Sequence, residues 1–166
     1  YAGTGEAAYF VDSYSGAGMM KSVDGGATWF PSGLTTVAAF ARIAVSPKDE
    51  NIVMAAAIRN NAGFYRSSNA GATWTRVISS PVTDITINPA NPDEVWIGGG
   101  EYGVLHSTDA GLSFTPSNTG IGLNGAFIGR VSVQVAPSEP TTLYALVNES
   151  SFGSSGVSYH SRIYKS

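Results

Sequence analysis

The sequence predicts an all-β fold built from repeated four-stranded antiparallel units, and three observations support this prediction. An octapeptide recurs three times, beginning at Ser22, Ser67 and Ser107, so its copies lie 45 and 40 residues apart. An alternating apolar run that ends in proline travels with it, and a second apolar pair begins six residues after each proline. No stretch of ten residues has the apolar spacing of a helix.

These signals divide each unit into strands A to D. Strand A is the alternating run, strand B the apolar stretch represented by 52–57, strand C the segment 63–67, and strand D begins at the octapeptide aromatic. Four-stranded units of this length are typical of β-propeller blades. The predicted boundaries are strands B to D of blade 1 over residues 1–33, blade 2 over about 40–78, blade 3 over about 82–117, and strands A to C of blade 4 over about 127–166.

The phase of the repeat places Tyr1 within a strand B and Ser166 at the first position of a fourth octapeptide. Three to four blades therefore correspond to a partial propeller, about half of a closed ring. An open arc would expose the apolar faces of its terminal blades. We expect the remaining blades of a longer chain to cover them, and the alternative is a homodimer that closes the ring.

The octapeptide residues favour a structural role. Aspartate or asparagine can accept backbone N–H groups of its own turn, glycine supplies positive φ, the hydroxyls add hydrogen bonds, and the aromatic packs against the hairpin or a neighbouring blade. Since Asn69 replaces a carboxylate, we expect the second hairpin to be slightly weaker. The set comprises Ser22, Asp24, Gly26, Thr28, Trp29, Ser67, Asn69, Gly71, Thr73, Trp74, Ser107, Asp109, Gly111, Ser113 and Phe114.

The pattern Ser-x-Asp-x-Gly-x-Thr-Trp resembles the Asp box, or BNR repeat, of sialidases, sortilin-type receptors, xyloglucanases and many secreted bacterial propeller proteins. The first copy fits every fixed position, the second has Asn69, and the third has Ser113 and Phe114. The segment 3–26 is similar to a pattern of large bacterial BNR-repeat proteins that are described as glycosyl hydrolase-like. This resemblance implies a propeller in a secreted or cell-surface protein that either binds or cleaves a ligand.

Composition excludes several other functions. Only 13% of residues are charged, against about 25% in a typical domain, and the net charge of −3 contains no basic block for nucleic acid or anionic lipid. No apolar run approaches the ~20 residues of a membrane span. Cysteine is absent, and the histidines are His106 and His160 alone. We therefore predict no nucleic-acid partner, no membrane insertion, no metal site and no cofactor.

Propeller topology puts the B–C and D–A loops on the face opposite the octapeptide turns. The B–C connections of blades 1 and 4 are the longest, and long loops on a rigid scaffold often carry function. Aromatic rings with amides and a few charged groups suit carbohydrate, although these aromatics could instead pack their own loops. The candidate ligand-binding residues are Tyr9, Phe10, Tyr14, Arg59, Asn60, Tyr102, Phe152, Tyr159 and His160.

A glycoside hydrolase would need two carboxyl groups facing one cleft, about 5 to 9.5 Å apart. The weak catalytic candidates are Glu6, Asp12, Asp84, Glu101 and Glu149. No local motif pairs any two of these carboxylates, and Asp84 could instead anchor a strand A. For a sialidase, the sequence around Arg42 lacks the Arg-Ile-Pro motif of that family.

We predict an extracellular scaffold that binds glycan or protein and is not catalytic on its own. The alternative is part of a sialidase- or xyloglucanase-like glycoside hydrolase whose cleft is completed by further chain or by a second copy.

Overall fold

A computed structural model describes residues 1–7, 13–121, 127–153 and 156–166, with the backbone alone described at 127–128, 150–153 and 156–159. Every regular element in these ranges is a β-strand, and the strands form four antiparallel sheets of three or four members. The predicted all-β class is confirmed, and the sheets have the architecture of propeller blades. Two compact units, Tyr1–Val82 and Thr83–Ser166, divide the chain.

The first unit holds two sheets whose strands pair in sequence order. The first sheet contains β1 (Ala2–Gly3), β2 (Met19–Lys21) and β3 (Phe30–Pro31), and the second contains β4 (Ala39–Val45), β5 (Val53–Arg59), β6 (Gly63–Ser67) and β7 (Thr75–Ile78). Six successive residues of β5, from Val53 to Ile58, are buried because both faces of this strand are covered. Three alanines in this run keep the side-chain layers on both faces thin.

The second unit contains the other two sheets, and β8 begins at the last residue of the first unit. The third sheet contains β8 (Val82–Ile87), β9 (Val95–Gly99), β10 (Gly103–Ser107) and β11 (Thr115–Pro116), and the fourth contains β12 (Phe127–Ala136), β13 (Glu139–Gly153) and β14 (Gly156–Lys165). The fourth sheet has three strands within the described residues, and β13 and β14 are much longer than their counterparts.

The prediction of a long B–C loop in blade 4 is wrong. Strands β13 and β14 pair without interruption from Tyr144 opposite Lys165 to Gly153 opposite Gly156. The segment 156–164 alternates polar residues with Val, Tyr and Ile, which favour strands. The long spacing between Tyr144 in strand B and Ser166 therefore reflects a long hairpin rather than a long loop.

Apolar packing and hydrogen bonds to main-chain carbonyls join the two sheets of the first unit. Met19 and Tyr1 pack with Phe40 and Tyr65 of the second sheet in one core cluster. Ser32 accepts a hydrogen bond from Trp74 Nε1 at its carbonyl oxygen, at 2.7 Å, and its own hydroxyl donates to a carbonyl of the second octapeptide at 2.9 Å. Each of these bonds satisfies a polar group where two sheets meet.

In the second unit, a valine-rich cluster and two polar side chains of β8 join the sheets. Val104 packs with Val131, Val133 and two β13 residues. The buried Thr83 hydroxyl donates to Val131 O at 2.6 Å and accepts from Val131 N at 3.1 Å. The Asp84 carboxylate accepts from Val133 N at 3.0 Å. Residues 83 and 84 therefore anchor the first strand of the fourth sheet.

Candidate functional site

The octapeptides at Ser22 and Ser107 form the same hydrogen-bonded turn. Asp24 Oδ1 accepts from Thr28 N at 2.9 Å, while Ser22 Oγ accepts from Gly26 N at 2.8 Å. The third copy repeats both bonds, at 2.9 Å each, with Asp109 and Ser107 as the acceptors. Every one of these bonds closes within five residues, so the turn is fixed locally.

Asn69 preserves the geometry of the second turn, but the hydrogen bond between its side chain and the Thr73 hydroxyl runs in the opposite direction to that in the other copies. Its Oδ1 accepts from Thr73 N at 2.9 Å, as the aspartates do in the other copies. Its Nδ2 donates to Thr73 Oγ1 at 2.9 Å, so the hydroxyl that donates to a carboxylate elsewhere accepts here. Whether the neutral turn is weaker stays a prediction.

The octapeptide aromatics precede strand D by one residue and differ in their neighbours. Strands β3, β7 and β11 begin directly after Trp29, Trp74 and Phe114. Trp29 Nε1 donates to Gly26 O within its own turn at 3.0 Å, whereas Trp74 Nε1 reaches Ser32 in the neighbouring sheet. The same motif position therefore serves either its own turn or the contact between sheets.

Hydrogen bonds lower the pKa of both octapeptide aspartates to about 2, from a usual value of 3.8. For Asp24 the largest cause is the Thr28 hydroxyl, followed by the Thr28 backbone N–H and the Ser22 hydroxyl. For Asp109 the Ser113 and Ser107 hydroxyls lead. Because these donors bind the ionised carboxylate, they favour its charged form.

Acid is therefore expected to weaken the folded chain through these two turns. Their contribution to the free energy of unfolding is fully present above about pH 4 and is lost as the pH falls toward 2. Thermal unfolding from pH 5 to pH 2 tests this with the Asp24→Asn/Asp109→Asn double variant, since asparagine at Asn69 already keeps the turn without a titrating group. We expect a shallower acid decline in the variant, and an unchanged decline would contradict the assignment.

The loop side of the first unit brings together several of the predicted ligand-binding residues. Glu6 and Tyr14 are joined by two contacts, Glu6 N to Tyr14 O at 3.0 Å and Tyr14 N to Glu6 Oε2 at 3.3 Å. From the end of β5, Arg59 Nη1 donates to Ser13 O at 3.3 Å, which holds the first loop against the second sheet. We call Glu6, Tyr14, Arg59 and Asn60 the loop rim.

The side chains of the loop rim are available for contact. Tyr14 is 82% exposed, so the described part of its loop leaves the ring largely in contact with solvent. Glu6 and Asn60 are exposed, and Arg59 is half-buried. Asn60 and Asn61 have φ of 34° and 57° in the tight β5–β6 connection, a region that asparagine tolerates better than most residues. The rim therefore presents a ring, a carboxylate, a guanidinium and an amide.

Candidates in the second unit occupy two separate places. Glu101 and Tyr102 form the exposed turn between β9 and β10, and Asn118 Nδ2 donates to Tyr102 O at 2.7 Å. His160 is exposed on β14, opposite Glu149. Tyr9, Phe10 and Asp12 lie outside the described residues, as do the side chains of Phe152 and Tyr159.

Glu149 is a buried side chain rather than a loop residue. It is 6% exposed, and its Oε1 has no hydrogen-bond partner among the described residues. Interaction with the Tyr164 hydroxyl, and then the negative charge of Glu149, raise the pKa of Arg162. Arg162 is not among the residues predicted from the sequence, although its place two residues after His160, on the same face of β14, indicates that the two side chains are neighbours.

Asp84, another of the carboxylate candidates, lies at the contact between the third and fourth sheets. Both Asp84 oxygens accept backbone N–H groups, from Ile85 at 2.9 Å and Val133 at 3.0 Å, which gives this residue the anchoring role considered as its alternative. Among the residues that the structure describes, no group of three or more histidines and carboxylates could hold a metal ion. Within the same ranges, no helix has the length and apolar character that crossing a bilayer requires.

No protein-family model matches this chain, and neither does any curated protein. Among solved structures, it is similar to an ancestral GH74 enzyme, with a TM-score of 0.52 and 20% identity over 75% of this chain. The chain spans only 20% of the length of that enzyme. At this identity, the similarity supports the propeller-type fold alone.

Proposed function

We propose that this chain is an Asp-box propeller segment that binds carbohydrate at the loop rim and catalyses no reaction by itself. The observation that carries the proposal is the 82% exposure of Tyr14, whose backbone is fixed by hydrogen bonds to Glu6 and by the bond from Arg59 to the carbonyl of the adjacent Ser13. An exposed ring can stack on the C–H face of a sugar, while carboxylate, guanidinium and amide groups bond its hydroxyls. Such a role fits a secreted or cell-surface protein.

Tyr14→Ala is expected to weaken glycan binding roughly tenfold, which corresponds to the loss of about 1.4 kcal/mol from a central aromatic contact. A panel of immobilised polysaccharides and glycoproteins would identify the best glycan, and calorimetry with that glycan would compare variants. The matched control is Phe30→Ala, which removes a 60% exposed aromatic outside the rim. Failure of the native chain to retain any glycan, or equal losses in both variants, would refute the proposal.

Recognition of an extracellular protein at the same rim is the alternative binding function. Capture of a protein from a host extract that depends on Tyr14, without retention on the glycan panel, would favour it.

A second candidate is part of a glycoside hydrolase whose cleft is completed by further chain or by a second copy. An ancestral GH74 enzyme, of which this chain spans one fifth, has a similar fold, so the fold is compatible with this candidate. Glu149 is the carboxylate to examine first because its buried Oε1 has no hydrogen-bond partner among the described residues and its charge acts on Arg162. Turnover of chromogenic glycosides that disappears in Glu149→Gln would support it.

A further inference from the structure

Side chains hold the turn between β5 and β6, residues 60–62, in one position on the second sheet. Tyr65 Oη donates to Asn61 O at 2.5 Å, and Arg76 Nη2 donates to Ala62 O. The Asn61 side chain donates from Nδ2 to a carbonyl in the segment before β4, at 3.2 Å. Two carbonyls of the turn and one of its amides are therefore already used by the fold.

A circuit of hydrogen bonds joins this turn to the first loop. Gly16 N donates to Ala38 O at 2.7 Å, and Ala38 N donates to Arg59 O at 3.2 Å. Arg59 Nη1 closes the circuit at the carbonyl that precedes Tyr14. Because Tyr14 lies within this circuit and Asn60 directly follows it, the backbones of these two rim residues are fixed relative to each other.

The Asn60 side chain differs from the others in the turn. Asn60 is exposed, and its amide has no hydrogen-bond partner among the residues that the structure describes. Its φ of 34° is a backbone conformation that is unfavourable for residues with a Cβ and not for glycine. A strained backbone position that presents a free polar side chain is typical of a ligand-binding residue.

The chemistry of the rim indicates what the Asn60 amide would bind. An amide has donors at Nδ2 and an acceptor at Oδ1, which match two adjacent hydroxyls of a sugar ring, one accepting and one donating. Glu6 and Arg59 bring opposite charges to the same rim, so neither an anionic nor a cationic sugar is favoured. These groups together suit a neutral sugar.

We propose that Asn60 is the specificity-determining residue of the loop rim and that its amide binds two adjacent hydroxyls of a neutral sugar. This inference rests on the proposed function, in which the rim binds carbohydrate with Tyr14 as the stacking ring. It assigns the choice of sugar to one side chain and explains why asparagine stands at a strained position. Glycine there would relieve the strain but could not bind.

Asn60→Gly is expected to weaken polysaccharide binding without destabilising the chain. Glycine accepts positive φ, so the melting temperature should equal or exceed that of the native chain. Loss of the amide should raise the dissociation constant roughly tenfold, which corresponds to about 1.4 kcal/mol. Affinity electrophoresis in gels that contain xylan, galactomannan or polygalacturonate measures binding. We expect one or both of the neutral polysaccharides to retard the native chain, and the anionic polygalacturonate to leave its migration unchanged.

Two further variants isolate the contribution of the amide. Ala70→Gly is the matched control because Ala70 has a φ of 53° in the second octapeptide turn, outside the rim. It removes the same kind of strain and should bind as the native chain does. Asn60→Asp keeps a side chain that tolerates positive φ but removes the Nδ2 donor, so it should lose affinity as Asn60→Gly does.

The outcomes separate this inference from the function on which it rests. Native affinity in Asn60→Gly and Asn60→Asp, together with a loss in Tyr14→Ala, would overturn the role of Asn60 and leave carbohydrate binding in place. A melting temperature of Asn60→Gly well below the native value would also overturn it, because Asn60 would then be a structural residue. Retardation by polygalacturonate as strong as that by the neutral polysaccharides would overturn the assignment of a neutral sugar. If no polysaccharide retards the native chain, the proposed function fails and this inference fails with it.

Discussion

Gly98→Ala is expected to destabilise the second unit by about 3 kcal/mol, at the upper end of the usual cost of overpacking. A Cβ at this position would lie 2.2 Å from Val131 O and 2.8 Å from Val131 C. Both atoms are backbone of β12, which Thr83 and Asp84 also hold by hydrogen bonds. The methyl group therefore cannot be accommodated by a side-chain rotation, and the two sheets must separate.

Urea titration followed by circular dichroism measures this loss. Gly129→Ala is the matched control since Gly129 is also a strand glycine of the second unit, and its Cβ would meet its nearest neighbour, Asn148 O, at an ordinary 3.8 Å. We expect the control to stay within about 1 kcal/mol of the native chain. Equal losses in the two variants would show that the sheets are not packed as closely at Gly98 as described.

Phe64→Ala is expected to cost the chain about 3–5 kcal/mol in its free energy of unfolding. Phe64 is the largest of the fully buried side chains, at 0% exposed, in the middle of the second sheet. Its removal loses the transfer free energy of the ring and leaves a cavity that strands paired on both sides cannot close.

The control for Phe64 is the exposed aromatic Phe30, since Phe30→Ala removes the same atoms from a position in contact with water. Its cost should remain below about 0.5 kcal/mol. Differential scanning calorimetry of both variants would also show whether the two units unfold in one transition or in two. A Phe64→Ala melting temperature equal to that of Phe30→Ala would contradict the burial of Phe64.

The strands that alternation marked in the sequence form sheets, whereas residue counts between landmarks were a poor guide to loops. A spacing gives the contour length of a segment but not its conformation. A segment of the same length can form either a loop or two paired strands. The segment between Tyr144 and Ser166 forms paired strands. Very short strands such as β3 and β11 carry too little alternation to be bounded from sequence.

Propeller topology predicted that the residues of the loop rim lie on one face, but the sequence did not predict the contacts between them. The bond from Arg59 to Ser13 joins residues 46 positions apart, and no local pattern specifies such a pair. The burial of Glu149 has a signal in the sequence. Glu149 continues the alternating series of Leu143, Ala145 and Val147, and this alternation predicts that it lies on the same face of the strand as they do.

The octapeptide turns also bear on the order of folding. The hydrogen bonds of their serine, aspartate, asparagine and threonine side chains close within five residues, so each turn can form on the microsecond timescale of an isolated hairpin. Contacts between sheets, such as Lys21 with Ala70 or Thr83 with Val131, span about 48 residues and must await chain diffusion. The turns would then set strand register before any two sheets meet, which limits the misaligned pairings open to a chain whose repeats share one motif.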